Sequence, residues 1–273
     1  MDNDVSLKLH AANSGRREIV SAVCSDPWFI ALLMLLALNL FWLLSGTAPP
    51  SIRLLWHWLP ALLSGMWTNI EISIVSMGLG TAAGLIFGAL SLSPSRLLCR
   101  LVRGYVQVFR NAPVLVLIYF TTYVFPFEFT LFHWYLPFPD WLKVVIGLGL
   151  SASAIIAEIF RGAIQSIPSA QWEAAQSLAF RRGQIFRYVI LPQCVRRMLP
   201  PWMNLYAGIT MSTSLASLVG VHDLVDMASI ASNTVARTNF TVLVYFTLLL
   251  FFFIYCYPIA RLTRLKEKRH ARS

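Results

Sequence analysis

The sequence predicts an all-α membrane protein with six transmembrane helices. Three observations carry that expectation. Only 12% of the 273 residues are charged while 57% are hydrophobic, six apolar runs are long enough to cross a bilayer, and the basic residues distribute unevenly around those runs. Soluble domains carry about 25% charged residues, so lipid rather than water is the solvent for much of this chain. With 14 Gly, 14 Pro, 4 Cys and 13% aromatic residues, the chain fits none of the collagen-like, disulfide-rich and disordered classes. Cys24, Cys99, Cys194 and Cys256 are scattered, with no Cys-x-x-Cys pair and no nearby His at ligand spacing, so neither a disulfide framework nor a metal site is expected.

A spanning helix needs about 20 residues. The runs lie near Trp28 to Ser45, Ile70 to Leu92, Tyr105 to Phe125, Leu142 to Phe160, Trp202 to Val221 and Phe240 to Tyr257. The first has no short basic region before it and no Ala-x-Ala-like end, which marks a retained anchor rather than a cleaved signal peptide. Along the second, Gly80, Gly84 and Gly88 recur every four residues and narrow one side of the helix for close approach, unless they simply reflect the abundance of glycine in membrane helices. The third is purely apolar only from Pro113 and reaches spanning length by extension back through Tyr105, Val106, Val108 and Phe109.

With the N-terminus inside, every Lys and Arg except Arg53, Lys143 and Arg237 falls on the cytoplasmic side. That asymmetry is what the positive-inside rule requires, and it places both termini in the cytoplasm. The net charge of +10 is therefore explained by topology, and no nucleic-acid partner is expected, because the arginines do not gather in one tail or on one helix face. Phe125, Phe127, Phe129, Phe132, Trp134, Tyr135, Phe138 and Trp141 form an aromatic belt at the outer interface.

The longest cytoplasmic loop, between Arg161 and Pro201, reads as two short helices. Pro168 suits a first turn, Ala170 to Phe180 is rich in helix formers, Arg181-Arg182-Gly183 breaks the helix, and Gln184 to Leu191 resumes an apolar pattern until Pro192 stops it. Such a pair either packs only on its own bundle or forms a docking knob for another protein.

Here specific motifs enter. Glu173-Ala174-Ala175-Gln176-Ser177-Leu178-Ala179, followed by Arg187-Tyr188-Val189-Ile190-Leu191-Pro192-Gln193, resembles the EAA loop of permease subunits of ATP-binding-cassette importers. Gln107 to Pro113, Ile156 to Pro168 and Ser214 to Val221 are similar to further segments of the polar amino-acid branch, the permeases for histidine, glutamine, arginine and opines. The resemblance implies a five-helix core over residues 62–263, with the coupling loop at 166–193. A cytoplasmic segment at 1–27 and an additional transmembrane helix at 28–46 precede the core, and a basic tail at 264–273 follows it.

The same resemblance implies a bacterial inner-membrane location, two copies of an ABC ATPase, a second permease chain and an external substrate-binding protein. ATPase coupling falls on Glu173, Ala174, Ala175, Ala179, Arg187, Leu191 and Pro192. Two departures stand out. The family usually has Gly at the position of Ala179; alanine tolerates left-handed backbone poorly, so the turn is expected to shift by a residue or two. The branch commonly has a charged pair where Met211 and Ser212 stand. That makes Met211, Ser212, Thr213 and Ser214 candidates for the substrate pathway or for helix packing, and it favours a heterodimer in which the other chain makes the main substrate contacts.

Of the intramembrane carboxylates, Glu71 sits near the outer end of its span, facing headgroups, outer water or a vestibule. Glu158 stands three residues before Arg161 on one helix face, which fits a structural ion pair better than a gate. No lysine follows a glycine, so no Gly-Lys-Ser/Thr phosphate loop exists, and the ATP and Mg that the resemblance implies are expected on a separate ATPase subunit. No Gly-x-Ser-x-Gly elbow or His-Glu-x-x-His site is present, and the chain is read as non-catalytic. His222 and Asp223 read as an outer-loop pair. The rival readings are a proton-coupled secondary carrier using Glu71 and Glu158, and a non-transporting membrane scaffold.

Overall fold

The computed structural model describes residues 49–126, 128–131 and 134–270. The expected first span at residues 28–46 lies outside them, as do Phe127 and Phe132 of the aromatic belt. The helices are α1 (Pro50–Leu90), α2 (Arg96–Asn111), α3 (Val114–Val124), α4 (Asp140–Gln165), α5 (Ser169–Ser177), α6 (Arg182–Gln184), α7 (Leu191–Ser212), α8 (Leu224–Val235) and α9 (Thr238–His270). Three of these, α1, α4 and the Thr238–Leu265 part of α9, are long and apolar enough to cross a membrane. The described count rises to five if each of two bent pairs, α2 with α3 and α6 through α7 with α8, forms one span.

All candidate spans among the described residues are helical. To that expectation the structure adds a short antiparallel ribbon, β1 (Glu128–Leu131) against β2 (Trp134–Pro137), with Glu128 opposite Pro137 and Leu131 opposite Trp134. It lies within the aromatic segment, and Phe125 and Phe138 meet edge-on at its base with ring centroids 5.8 Å apart.

Besides α1, which begins 20 residues before its expected span, two helix breaks differ from the sequence expectation, each for a backbone reason. The third span is not one helix from Tyr105 to Phe125: α2 and α3 meet at 106°. Ala112 precedes Pro113, whose ring drives it out of helical geometry to ψ 135°. Nor does Pro192 end a helix. The chain is helical without interruption from Arg182 to Val219, passing through a π-helical stretch at Ile185–Ile190, then α7, then a 3-10 stretch at Thr213–Val219. The wider π turn falls where an α-helix would press the Pro192 ring against the Tyr188 carbonyl. Gly220, with φ 83°, finally ends this run before α8.

The core is the seam between α1 and α4. A Cβ at Gly80 would lie 2.6 Å from Ala152, at Gly84 2.7 Å from the Ser153 carbonyl, and at Gly88 2.7 Å from the Phe160 ring. The narrow glycine side is therefore filled by the neighbouring helix, as the close-approach reading requires. Around the seam, Ile72, Met77, Ile118, Val144, Leu148, Ala152, Ile156 and Ile209 form one apolar cluster joining α1, α3, α4 and α7.

Gly84→Leu is expected to destabilise the chain by roughly 1–3 kcal/mol through overpacking against backbone. Gly78→Leu, where nothing lies within 4 Å, serves as its partner measurement. Equal thermal midpoints of the two variants in detergent would sink the seam assignment.

Candidate functional site

The loop after α4 is built as a two-sided element. Ala175, 4% exposed, and the half-buried Trp172 turn inward from α5 onto Phe160, Ala163 and Ile167. The same apolar cluster takes in Ile185 and Ile190 of the π stretch and Cys194 and Met198 of α7. Glu173, Ala174, Gln176 and Ser177 are exposed on the opposite side of α5. Two polar ties fasten the element to the bundle. Arg197 donates to the carbonyl and hydroxyl of Ser166 at 2.7 and 2.8 Å, and the Gln193 amide donates to the Val189 carbonyl at 2.9 Å and to Gln171 at 3.4 Å.

The turn that closes α5 corrects the expectation for Ala179. It is not displaced: Ala179 itself adopts φ 56°. The Ala179 amide donates to Gln176 and the Phe180 amide to Ala175, at 2.9 and 3.3 Å, the hydrogen-bond pair of a Schellman motif. Two capping bonds thus hold an alanine where glycine is preferred. Leu178, 70% exposed, and Phe180 follow on the surface, together with Arg187 and Tyr188. Leu191 packs half-buried against the loop cluster, and Pro192 is exposed in the first turn of α7.

Glu158 and Arg161 form the expected ion pair. Arg110 joins it from α2 at 3.8 Å, and Arg161 also donates to Gln165 at 3.4 Å. The group borders a cavity of about 490 Å³ between α2 and α4, lined also by Arg103, Gln107 and Asn111. Each partner is about a third or more exposed, so these pairs orient side chains more than they stabilise the fold.

The other candidates are dispersed. Glu71 is exposed and accepts from the Trp67 indole at 2.7 Å. Ser212 and Ser214 donate back to the Gly208 and Met211 carbonyls of their own helical run. Met211 and Ser214 border a second, mainly apolar groove of about 500 Å³ against Leu248, Phe252 and Cys256. Thr213 alone of this group is fully buried.

Thr213 belongs to a network that sequence reasoning missed. Buried Asn69 on α1 donates to Thr213 at 2.8 Å and to the Asp223 carboxylate at 3.1 Å, and accepts from the Leu224 amide at 2.9 Å. Asp223 also caps α8 by accepting from the Asp226 amide at 2.9 Å. His222 therefore pairs not with Asp223 but with Asp226, at 2.7 Å. The available signal was a lone asparagine inside an apolar helix, which persists only when its amide is satisfied.

Residues 80–269 match the model of the family described as binding-protein-dependent transport system inner membrane component. The chain belongs to this family. It is 32% identical over 212 residues to the probable amino-acid ABC transporter permease protein YckA of Bacillus subtilis, covering 78% of this chain and 90% of that protein. It is 34% identical over 218 residues to the octopine transport system permease protein OccM of Rhizobium radiobacter, covering 78% and 87%. Its fold is that of a chain in the crystal structure of an amino acid ABC transporter with histidines, with a TM-score of 0.67 at 24% identity over 78% of this chain and 95% of the other. Permease components of this kind are membrane proteins and are not themselves catalytic.

Two substitutions test the site's construction. Ala179→Gly is expected to stabilise the closing turn by roughly 0.5–1 kcal/mol, seen as slower hydrogen exchange at the Ala179 and Phe180 amides. Asn69→Ala removes a partner from buried Asp223 and should cost about 2–3 kcal/mol in thermal unfolding. An unchanged midpoint would show that the network carries no stability.

Proposed function

We propose that the chain is the membrane-spanning permease subunit of an importer for polar amino acids or related compounds, opines included, in a bacterial cytoplasmic membrane. The single observation that carries the coupling role is the two-sided α5: one face locked into the bundle through Ala175 and Trp172, the other presenting Glu173 and Ala174. The names of the amino-acid and octopine relatives support the substrate class.

On this reading the α5 end of the bundle is cytoplasmic, as are both termini. A pair of ATPase subunits, which hold ATP and Mg, docks on Glu173, Ala174, Arg187 and the exposed Leu178, Phe180 and Tyr188. Because α5 packs on α4 and α7 and Arg197 ties α7 to the end of α4, a push on α5 moves these helices as a body, the rigid displacement that alternating access needs. An external binding protein delivers the solute. The groove at Met211 and Ser214 is lined mainly by apolar side chains, which favours a second permease of different sequence as the source of the main substrate contacts.

The carrier reading loses support from the same geometry, because Glu71 is exposed beside Trp67 and Glu158 lies between two arginines. Neither carboxylate has the buried, isolated setting of a proton relay.

The test combines partner identification with uptake. Chain purified in mild detergent should carry a stoichiometric ATPase. Glu173→Arg with Ala174→Leu should lower coupled uptake by about tenfold, equivalent to about 1.4 kcal/mol of docking energy, while leaving the chain inserted. Ala175→Leu should instead loosen α5 from its own bundle. Wild-type coupled uptake by the Glu173/Ala174 variant would overturn the coupling assignment, and absence of an ATPase would overturn the importer.

A further inference from the structure

Helix α2 carries three distinct faces. Val102 and Val106 are buried against Phe87, Leu90 and Ala157, and Cys99 is buried on the same side of the helix. On the opposite side lies a second apolar face that none of the described residues covers: Leu97, Leu101 and Val108 are 67%, 63% and 61% exposed, and Gly104 lies between them on the helix surface. The third face is basic. Arg96, Arg100, Arg103 and Arg110 recur at intervals of four, three and seven residues, which places them on one arc.

Position in the bundle gives these faces their meaning. The 106° break before α3 turns α2 across the helices rather than along them. Its start is held at the end of α1, where the Cys99 thiol donates to the Ser91 and Ser93 carbonyls at 3.2 and 3.0 Å. Its end reaches the level of Glu158 through Arg110. These are the depths at which α1 and α4 leave the expected apolar core on the α5 side.

Among the described residues, Arg110 alone of the four arginines reaches a carboxylate. With no carboxylate among the described residues to compensate them, the pairs at spacings of four and three are mutually repulsive, so the arc is suited to an anion. A second copy of the chain meeting this face about a two-fold axis would set the same charges against each other. An anionic phospholipid leaflet satisfies both faces at once, with phosphates for the guanidinium forks and acyl chains for the leucines.

We propose that α2 is an interfacial helix that binds anionic phospholipid of the leaflet on the α5 side: Arg96, Arg100 and Arg103 take headgroups while Leu97, Leu101 and Val108 enter the acyl region. This rests on the reading of the chain as a membrane-spanning permease. Its test uses neither ATP nor solute, so the two can fail separately: loss of uptake or of the ATPase would strike the importer reading alone.

The full chain is placed in nanodiscs of phosphatidylcholine containing trace spin-labelled phosphatidylglycerol or spin-labelled phosphatidylcholine. The ratio of their association constants is read from the motionally restricted component. Wild type should prefer the anionic label, and R96Q/R100Q/R103Q should reduce that preference by about fivefold, the factor for losing one arginine contact of about 1 kcal/mol per bound lipid. R96K/R100K/R103K should retain most of it, which separates lost charge from lost folding, and R181Q/R182Q on the loop should leave it unchanged. An undiminished preference in the triple Gln variant would overturn the proposal. So would absence of any anionic preference in the wild type, as expected if a second copy of the chain covers α2.

Discussion

Helices surrounded by hydrocarbon gain nothing by excluding it from one another, so association must come from atoms brought close together. In this chain that proximity is concentrated where Gly80, Gly84 and Gly88 of α1 receive the backbone and side chains of α4. The rest of the architecture hangs from this pairing. Nearer its start, α1 meets α8 at Gly65, where a Cβ would lie 2.7 Å from the Asp223 carbonyl. At its loop end, α4 carries Glu158 and Arg161 and leads directly into α5. A shift of the glycine seam would therefore move both the buried polar network and the loop.

Polar groups follow a consistent order. The deepest, Asn69, Thr213 and Asp223, satisfy one another across three chain segments. A second set joins helix to helix in single bonds: Tyr105 with Ser153 at 2.7 Å, and Trp202 with Thr81 at 2.9 Å. Ion pairs sit at helix ends: Glu158 and its arginines border a cavity at the α2 and α5 end, and Lys143 pairs with Asp140 at 3.0 Å in the first turn of α4. Among the described residues, the acidic and basic side chains that are fully buried, Lys143 and Asp223, are each held by a partner within hydrogen-bond reach, as burial away from water requires.

The long, unbroken apolar helices were legible because length and composition decide them; α1, α4 and α9 coincide with expected spans, though α1 begins 20 residues earlier than its span. The bend before α3 was not, although Pro113 was in view, because an apolar count is blind to direction and the effect of proline falls on Ala112. Pro192 misled in the opposite sense: its usual role as a helix stop is cancelled by a π turn that has no sequence signature. The outward residues of the loop could be named from their motif, but that Ala175 faces its own bundle depends on the distant Ile185 and Met198. Asn69 and Asp223 are 154 positions apart, and no local pattern joins them. The Asp223-Leu-Val-Asp226 capping signature was nevertheless present and could have announced α8.

At 41 residues α1 is about 60 Å long, twice the thickness of a bilayer's hydrocarbon core. Only its second half is gripped by the glycine seam; its first half rests on α8 and α9 through Leu54, Leu55, Trp58, Leu62 and Met66. The surplus length gives the bundle tolerance to bilayer thickness. In a thicker membrane more of α1 can enter hydrocarbon, and in a thinner one more can stand clear, without altering the register at Gly80, Gly84 and Gly88.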